Sequence, residues 1–245
     1  MKLLFLLLFS VLSIKPIYLV SGFGDSPIYS QIYDSSLYPE CPSNVSKIII
    51  KNEKSFNKSF LSYYPDCVAK LLRVQFNTSN GKVGQLPGIF TDSTLINDPS
   101  LCYNTFGDII TNINRLGYQN NINFFSVGYN YFLHPVSSYR VYNILKEKIE
   151  QVFSQTGEKS IIISYDQGTS FISIFLSNYS QPEWVKRYID SVIFITPAFA
   201  GIPSLSKLIS QDLHPFISND EFKKTIMRMP GLHMMLPNYI IYENY

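Results

Sequence analysis

The sequence predicts an α/β fold in which a mostly parallel central sheet is flanked by helices. Three observations carry that reading. Short, continuously apolar runs at 16–20 and 161–163 lead into glycine-bearing turns, as buried parallel strands do. Amphipathic stretches around 106–116 and 141–153 each close on a glycine, Gly117 and Gly157. Strands and helices then alternate at crossover spacing, which calls for parallel pairing with right-handed connections.

Composition bounds the rest. Of 245 residues, 46% are hydrophobic and 15% aromatic, while 16% are charged, below the roughly 25% usual for soluble domains. A disordered chain, a coiled coil and an array of charged repeats are excluded. The formal net charge is +2 with no long Lys/Arg cluster, so there is no electrostatic footprint for nucleic acid. No metal-ligand spacing, GxGxxG run or Walker-type run occurs, and neither cofactor nor metal is expected. Three Cys exclude a disulfide-dense scaffold but permit one bridge.

In chain order, Met1 and Lys2 precede an apolar run from Leu3 to Leu12, interrupted by Ser10. A basic residue, a short greasy stretch and a small residue at Ser13 describe a secretory signal over 1–13, leaving residues 14–245 as the domain. Asn-x-Ser/Thr triplets at Asn44, Asn57, Asn77 and Asn178 are glycosylation candidates in such a compartment, where a disulfide is also permitted. Residues 16–20 form the first strand, ending in Ser21-Gly22-Phe23-Gly24. Residues 28–70 read as irregular and polar, an inserted lobe or lid. A strand is expected at Leu72 to Phe76 and a turn at Asn80-Gly81. Phe106, Ile109, Ile110, Ile113 and Leu116 share one helical face. A strand at Asn123 to Val127 follows. Ser137 or Ser138 then caps a helix burying Val141, Leu145, Ile149, Val152 and Phe153. A strand at Ser160 to Ser164, a helix over 168–178 and a strand at Ser191 to Thr196 complete the alternation. Residues 203–245 read as loop-rich.

In open parallel sheets the site lies beyond the carboxyl ends of the strands. Two such ends carry chemistry. Ser164-Tyr165-Asp166-Gln167-Gly168 has the form of a nucleophile elbow, a sharp strand-to-helix bend with its middle residue projecting. Ser21 to Gly24 is the early loop that faces such a bend. In that geometry Asp166 holds the nucleophile position, and the backbone N–H groups of Phe23 and Gln167 are the oxyanion donors.

The order of motifs resembles the lecithin:cholesterol acyltransferase family, which includes the lysosomal phospholipase A enzymes. Residues 16–24 are similar to the family's opening strand and oxyanion loop. Leu86-Pro87-Gly88-Ile89-Phe90 resembles its "PGFG" segment, and Gly117-Tyr118 its "GY" helix end. Gly128-Tyr129-Asn130-Tyr131 stands where the family tends to carry "PYDW". Gln181 to Asp190, then Thr196-Pro197-Ala198-Phe199-Ala200-Gly201, resembles the stretch ending in "GAPWGG". The resemblance implies an α/β-hydrolase core with a small lid closed by a Cys41–Cys67 disulfide, which leaves Cys102 over as a buried apolar side chain. It implies O-acyltransferase or phospholipase chemistry on a phospholipid or other acyl lipid at a membrane or lipoprotein surface. It also implies a secreted or lysosomal, endomembrane-lumenal location.

The departures set further expectations. Where the family's elbow reads "HSMG", this chain has Tyr165-Asp166-Gln167-Gly168, so the nucleophilic serine is replaced by Asp166. The family's triad Asp and His lie well downstream, beyond Tyr245, and none of His134, His214 and His233 inherits the base role. The expectation is a C-terminally incomplete α/β-hydrolase whose catalysis is impaired, a lipid-binding relative. The alternative is an aspartate-nucleophile hydrolase acting at saturated carbon.

Overall fold

The computed structural model describes residues 14–42, 46–50, 63–77, 82–93, 96–97, 103–203, 205–206, 224–225, 227–238 and 240. The signal segment, Asn44, Asn57, Cys102, His214 and the turn at 80–81 lie outside the described residues. The strands are β1 (Ile17–Val20), β2 (Ile28–Ile32), β3 (Ser46–Ile50), β4 (Val74–Asn77), β5 (Lys82–Gln85), β6 (Ile89–Ser93), β7 (Ile96–Asn97), β8 (Phe124–Val127), β9 (Ser160–Tyr165) and β10 (Ile189–Ile195). The helices are α1 (Pro65–Leu72), α2 (Tyr103–Arg115), α3 (Tyr139–Thr156), α4 (Gln167–Ile174), α5 (Pro182–Tyr188) and α6 (Pro230–His233).

The central sheet runs β10-β9-β1-β8-β7. Pairing is parallel throughout except at β7, which lies antiparallel on β8. All four residues of β1 are buried, because β8 and β9 flank it and helices cover both faces. The two-residue alternation of a strand divides the core accordingly. Tyr18 and Val20 join Phe125, Val127 and Ile162 beneath α3 and α4. Ile17 and Leu19 join Phe124 and Ile163 against Phe106, Ile110 and Ile113 of α2. This is the mostly parallel sheet that the apolar runs and their spacing predict.

Helix α3 buries Val141, Leu145, Ile149 and Val152 on one stripe and ends at Gly157, whose φ of 72° is left-handed. Ser138 stands at its N-cap, but its side chain makes no capping hydrogen bond. Helix α4 runs into a π turn, Phe175–Tyr179, that keeps Phe175 buried. Trp184 of α5 packs back onto α3, its Nε1–H donating to Glu150 Oε1 at 2.6 Å. Leu116 departs from its expected face. The helix ends at Arg115, Gly117 turns the chain at φ 93°, and Leu116 is 73% exposed.

Two expectations need correction. The stretch 28–70 is not irregular where it is described: β2 pairs antiparallel with β3 and β6, and α1 packs beneath. Ile28, Ser30 and Ile32 alternate inward, and Ser30 is buried because its hydroxyl meets Thr91 Oγ1 at 2.6 Å. A polar residue on the inner face had disguised the strand period. Leu72 closes α1 instead of opening a strand, because Val68, Leu71 and Leu72 share a helical face. Strand β4 begins two residues later. Cys41 and Cys67 form the disulfide that the resemblance implies, with Cα atoms 4.9 Å apart, fastening the segment after β2 to α1.

Candidate functional site

The site begins where β9 stops. Asp166 adopts φ 50° and ψ −123°, a conformation that non-glycine residues rarely hold. Its N–H donates to Ile195 O at 3.1 Å, prolonging the pairing with β10. Its C=O accepts from Thr169 N at 3.1 Å and from Thr169 Oγ1 at 2.6 Å, the first turn of α4. One residue therefore ends the strand and opens the helix, as an elbow requires.

Glycines make the bend and the facing loop fit. A Cβ on Gly168 would stand 2.5 Å from Ser21 O and 2.8 Å from Val20 O, so α4 can approach the end of β1 only without a side chain there. A Cβ on Gly22 would stand 2.8 Å from Asp166 Cβ and 2.9 Å from Asp166 Oδ2. The loop 21–24 is thus pressed against the carboxylate. Gly24 turns it at φ 85°, and the buried hydroxyls of Ser21 and Ser26 meet at 3.0 Å.

Phe23 N–H donates to Asp166 Oδ2 at 3.2 Å. The Phe23 ring lies edge-on to Tyr131 and Phe132, with centroids 4.8 and 5.7 Å away. Asp166 is half-buried. Ser164 is fully buried within β9 and is not presented at the bend. Neither described histidine bonds to Asp166: His134 Nδ1 accepts from Val136 N–H, and His233 Nε2 contacts Met227 O. Phe199 is exposed and packs edge-on to Phe194. Among the described residues no group of His, Cys, Asp and Glu has metal-binding geometry.

Gln167 carries a feature that sequence reasoning missed. Its side chain is completely buried. Nε2 donates to Tyr131 O at 3.0 Å and to Gly231 O at 2.7 Å, while Oε1 accepts from Tyr129 OH at 3.2 Å. The residue after the apex therefore ties the elbow to the 129–132 loop and to α6. No local pattern marks position 231 as its neighbour. Burial pushes the Tyr129 phenol well above its ordinary pKa, and the charges of Asp166 and Asp25 add to the shift.

Asn178 is exposed in the π turn and Asn77 lies in β4. No helix among the described residues is long and apolar enough to cross a membrane.

The model of the lecithin:cholesterol acyltransferase family matches residues 56–244. A phosphatidylcholine-sterol acyltransferase of Mus musculus is 24% identical over 176 residues, 67% of this chain and 40% of that protein. A putative phospholipid:diacylglycerol acyltransferase 2 of Arabidopsis thaliana is 26% identical over 125 residues, 45% of this chain and 19% of that protein. The match thus spans less than half the length of either relative. The Bacillus licheniformis lipase BlEst2, in its mature form, aligns with a TM-score of 0.34 at 10% identity, over 91% of this chain and 63% of that one. With more than half of its residues matched by the family model, the chain belongs to the lecithin:cholesterol acyltransferase family.

Proposed function

We propose that this protein engages phospholipid or another acyl lipid and that its elbow no longer performs acyl transfer. The observation that carries this reading is the bond from Phe23 N–H to Asp166 Oδ2. An oxyanion donor stabilises a tetrahedral intermediate only if it is free when charge develops, and losing one such donor costs about 3 kcal/mol of catalysis. Here the protein's own carboxylate takes that donor. A second negative oxygen about 4 Å away would be repelled by about 4 kcal/mol near a protein surface. Carboxylate attack on an ester would also leave a mixed anhydride, and no described imidazole is in place to activate water. Within this reading the 1–13 segment is a secretory signal, the protein works in a lumenal or extracellular compartment, and the disulfide-linked lobe serves as a lid.

The test pairs binding with turnover. Purified protein is expected to co-float with phosphatidylcholine vesicles, release no fatty acid and resist labelling by a fluorophosphonate probe. Fatty-acid release that disappears in Asp166→Ala would overturn the inactive reading. Failure to co-float would overturn the lipid reading.

A second reading has one supporting observation: the carboxylate stands half-buried at the apex, held by the Phe23 N–H, as a nucleophile would be. An aspartate at this position displaces leaving groups from saturated carbon in other hydrolases. It requires a covalent ester at Asp166 after exposure to an epoxide or alkyl halide, read by peptide mass spectrometry.

A further inference from the structure

Beyond the C-terminal end of α1 the molecule builds a cationic recess. A cavity of about 460 Å³ is walled by Arg73, Lys224 and Arg228, with Val74 and Leu86 as its apolar side and Thr225 between. Its volume is that of a small-ligand site. The cations come from two segments far apart in the chain. Arg73 is the C-cap of α1. Lys224 and Arg228 flank a turn in which Arg228 N–H donates to Thr225 O at 3.1 Å. A cation at the end of α1 is accounted for by that helix's dipole. Arg228 is brought to the same recess from a separate segment of the chain.

The side chains suit one kind of ligand. Arg73, Lys224 and Arg228 are exposed at the mouth, whereas Thr225 is buried. No carboxylate is among the described residues lining this cavity. Glu40 and Asp66 line an adjoining cavity of about 330 Å³, which shares Arg73 and Thr225 with the first. The favourable seat for an anion is therefore the Arg73–Arg228 side. Guanidinium groups bind phosphate oxygens through paired N–H donors, and an ammonium adds a point charge. Leu86 packs against the main core, so that wall is fixed and apolar, suited to the glycerol carbons beside a phosphate. We infer that this recess binds the phosphate of a glycerophospholipid headgroup, with Arg73 and Arg228 as forked donors and Lys224 as the third charge. The phosphate chemistry stands on the cavity alone; the lipid as its source rests on the function proposed above.

The experiment uses the full chain in three assays: calorimetric titration with inorganic phosphate, the same with glycerophosphocholine, and flotation with phosphatidylcholine vesicles. Arg73→Gln/Arg228→Gln is compared with Arg73→Lys/Arg228→Lys and with the charge-matched control Arg115→Gln/Lys186→Gln, all checked for folding by circular dichroism. The first variant is expected to weaken both soluble ligands by about tenfold or more and to reduce flotation. The lysine variant is expected to recover part of the loss, and the control to match wild type. Equal loss in the control would reduce the effect to bulk charge and overturn the site, as would wild-type protein that binds neither soluble ligand. Weakened phosphate binding with unchanged flotation would overturn the lipid source. If wild type binds phosphate through these arginines but ignores vesicles, the lipid reading fails while the phosphate site stands.

Discussion

The backbone N–H of Phe23 and the carboxylate of Asp166 meet at 3.2 Å across a separation of 143 residues. The contact joins the loop after β1 to the bend after β9, adjacent strands in the sheet. Two consequences follow. The bend is held by a charge-assisted bond, and the donor nearest the apex is engaged by the protein itself. The strained bend and the loop facing it are therefore coupled through one side chain.

Asp166→Gly separates strain from bonding. A φ of 50° on a residue with a side chain costs about 1–3 kcal/mol, and glycine removes that cost. The lost bond to a charged group is worth about 1.5 kcal/mol. The two nearly cancel, so Asp166→Gly is expected within about 1 kcal/mol of wild type by urea unfolding. Asp166→Val, β-branched at the same φ, is expected to lose about 2 kcal/mol or more. Equal stability of the two variants would remove strain from the account.

Gly168→Ala tests how closely the helix approaches the sheet. The added methyl would meet backbone carbonyls at 2.5 and 2.8 Å, and backbone cannot swing aside as a side chain can. A loss of about 2–3 kcal/mol is expected. Gly84→Ala, whose Cβ meets nothing within 4 Å, serves as the control and should change stability by about 0.5 kcal/mol or less. Matching urea midpoints for the two would contradict the close packing of α4 on the end of β1.

Gln167→Leu keeps the volume and removes every bond of the side chain. Tyr131 O and Gly231 O lose their Nε2 donor, and Tyr129 OH loses its acceptor. Burying such groups unpaired costs about 1–3 kcal/mol each, so a total loss of about 3 kcal/mol is expected. Amide exchange should locate it. Gly231 N–H, bonded to Phe132 O at 2.9 Å, should exchange faster while β1 amides change little. Uniform acceleration across the sheet would make Gln167 an ordinary core residue rather than the tie to α6.

Legibility in the sequence tracked the range of the interaction. The strands β1, β8 and β9 are short apolar runs, and Gly157 and Gly117 mark helix ends by their own backbone needs, so local pattern sufficed. The elbow was legible because a bend between a buried strand and a helix leaves a short signature ending in Gly168. The β2–β6 pairing was not. Its inward Ser30 is satisfied by Thr91, sixty-one residues away, and a serine shows no such partner in sequence. The role of Gln167 was hidden for the same reason, its acceptor at Gly231 lying sixty-four residues on. Exposed Ile193 and Phe194 on β10 equally escaped a pattern that equates apolar runs with burial.

Alkaline pH should destabilise the fold through its buried phenols. Burial raises the pKa of Tyr18, Tyr129 and Tyr142 above the ordinary 10.0. Below that value both states keep the proton and stability does not depend on it. Above it the unfolded chain releases protons that the folded chain retains. Unfolding free energy then falls by about 1.4 kcal/mol per pH unit for each phenol, until the raised folded pKa is reached. Phenolate absorbance should rise together with loss of circular dichroism. Tyr142→Phe, which also loses its bond to Phe171 O, should lower stability at neutral pH and yet reduce the alkaline slope by about one phenol. Slopes unchanged by that substitution would mean that Tyr142 titrates freely.

Reduction of Cys41–Cys67 should open one part of the molecule before the rest. The bond spans 26 residues, and releasing a loop of that length returns about 3 kcal/mol of chain entropy to the unfolded state. Cys67 is fully buried in α1, between that helix and the antiparallel sheet of β2, β3 and β6. Val68, Leu71 and Leu72 also pack into the main core there, and Thr91 Oγ1 donates to Leu71 O at 2.6 Å. On the other face of β1, Ile17 and Leu19 pack with Phe106, Ile110 and Ile113 in a cluster that holds no residue of α1. In Cys41→Ser/Cys67→Ser, amides of α1 should therefore lose most of their exchange protection while those of β1, β9 and the elbow keep theirs. Loss at the elbow equal to that in α1 would show that the lobe and the parallel sheet unfold as one unit.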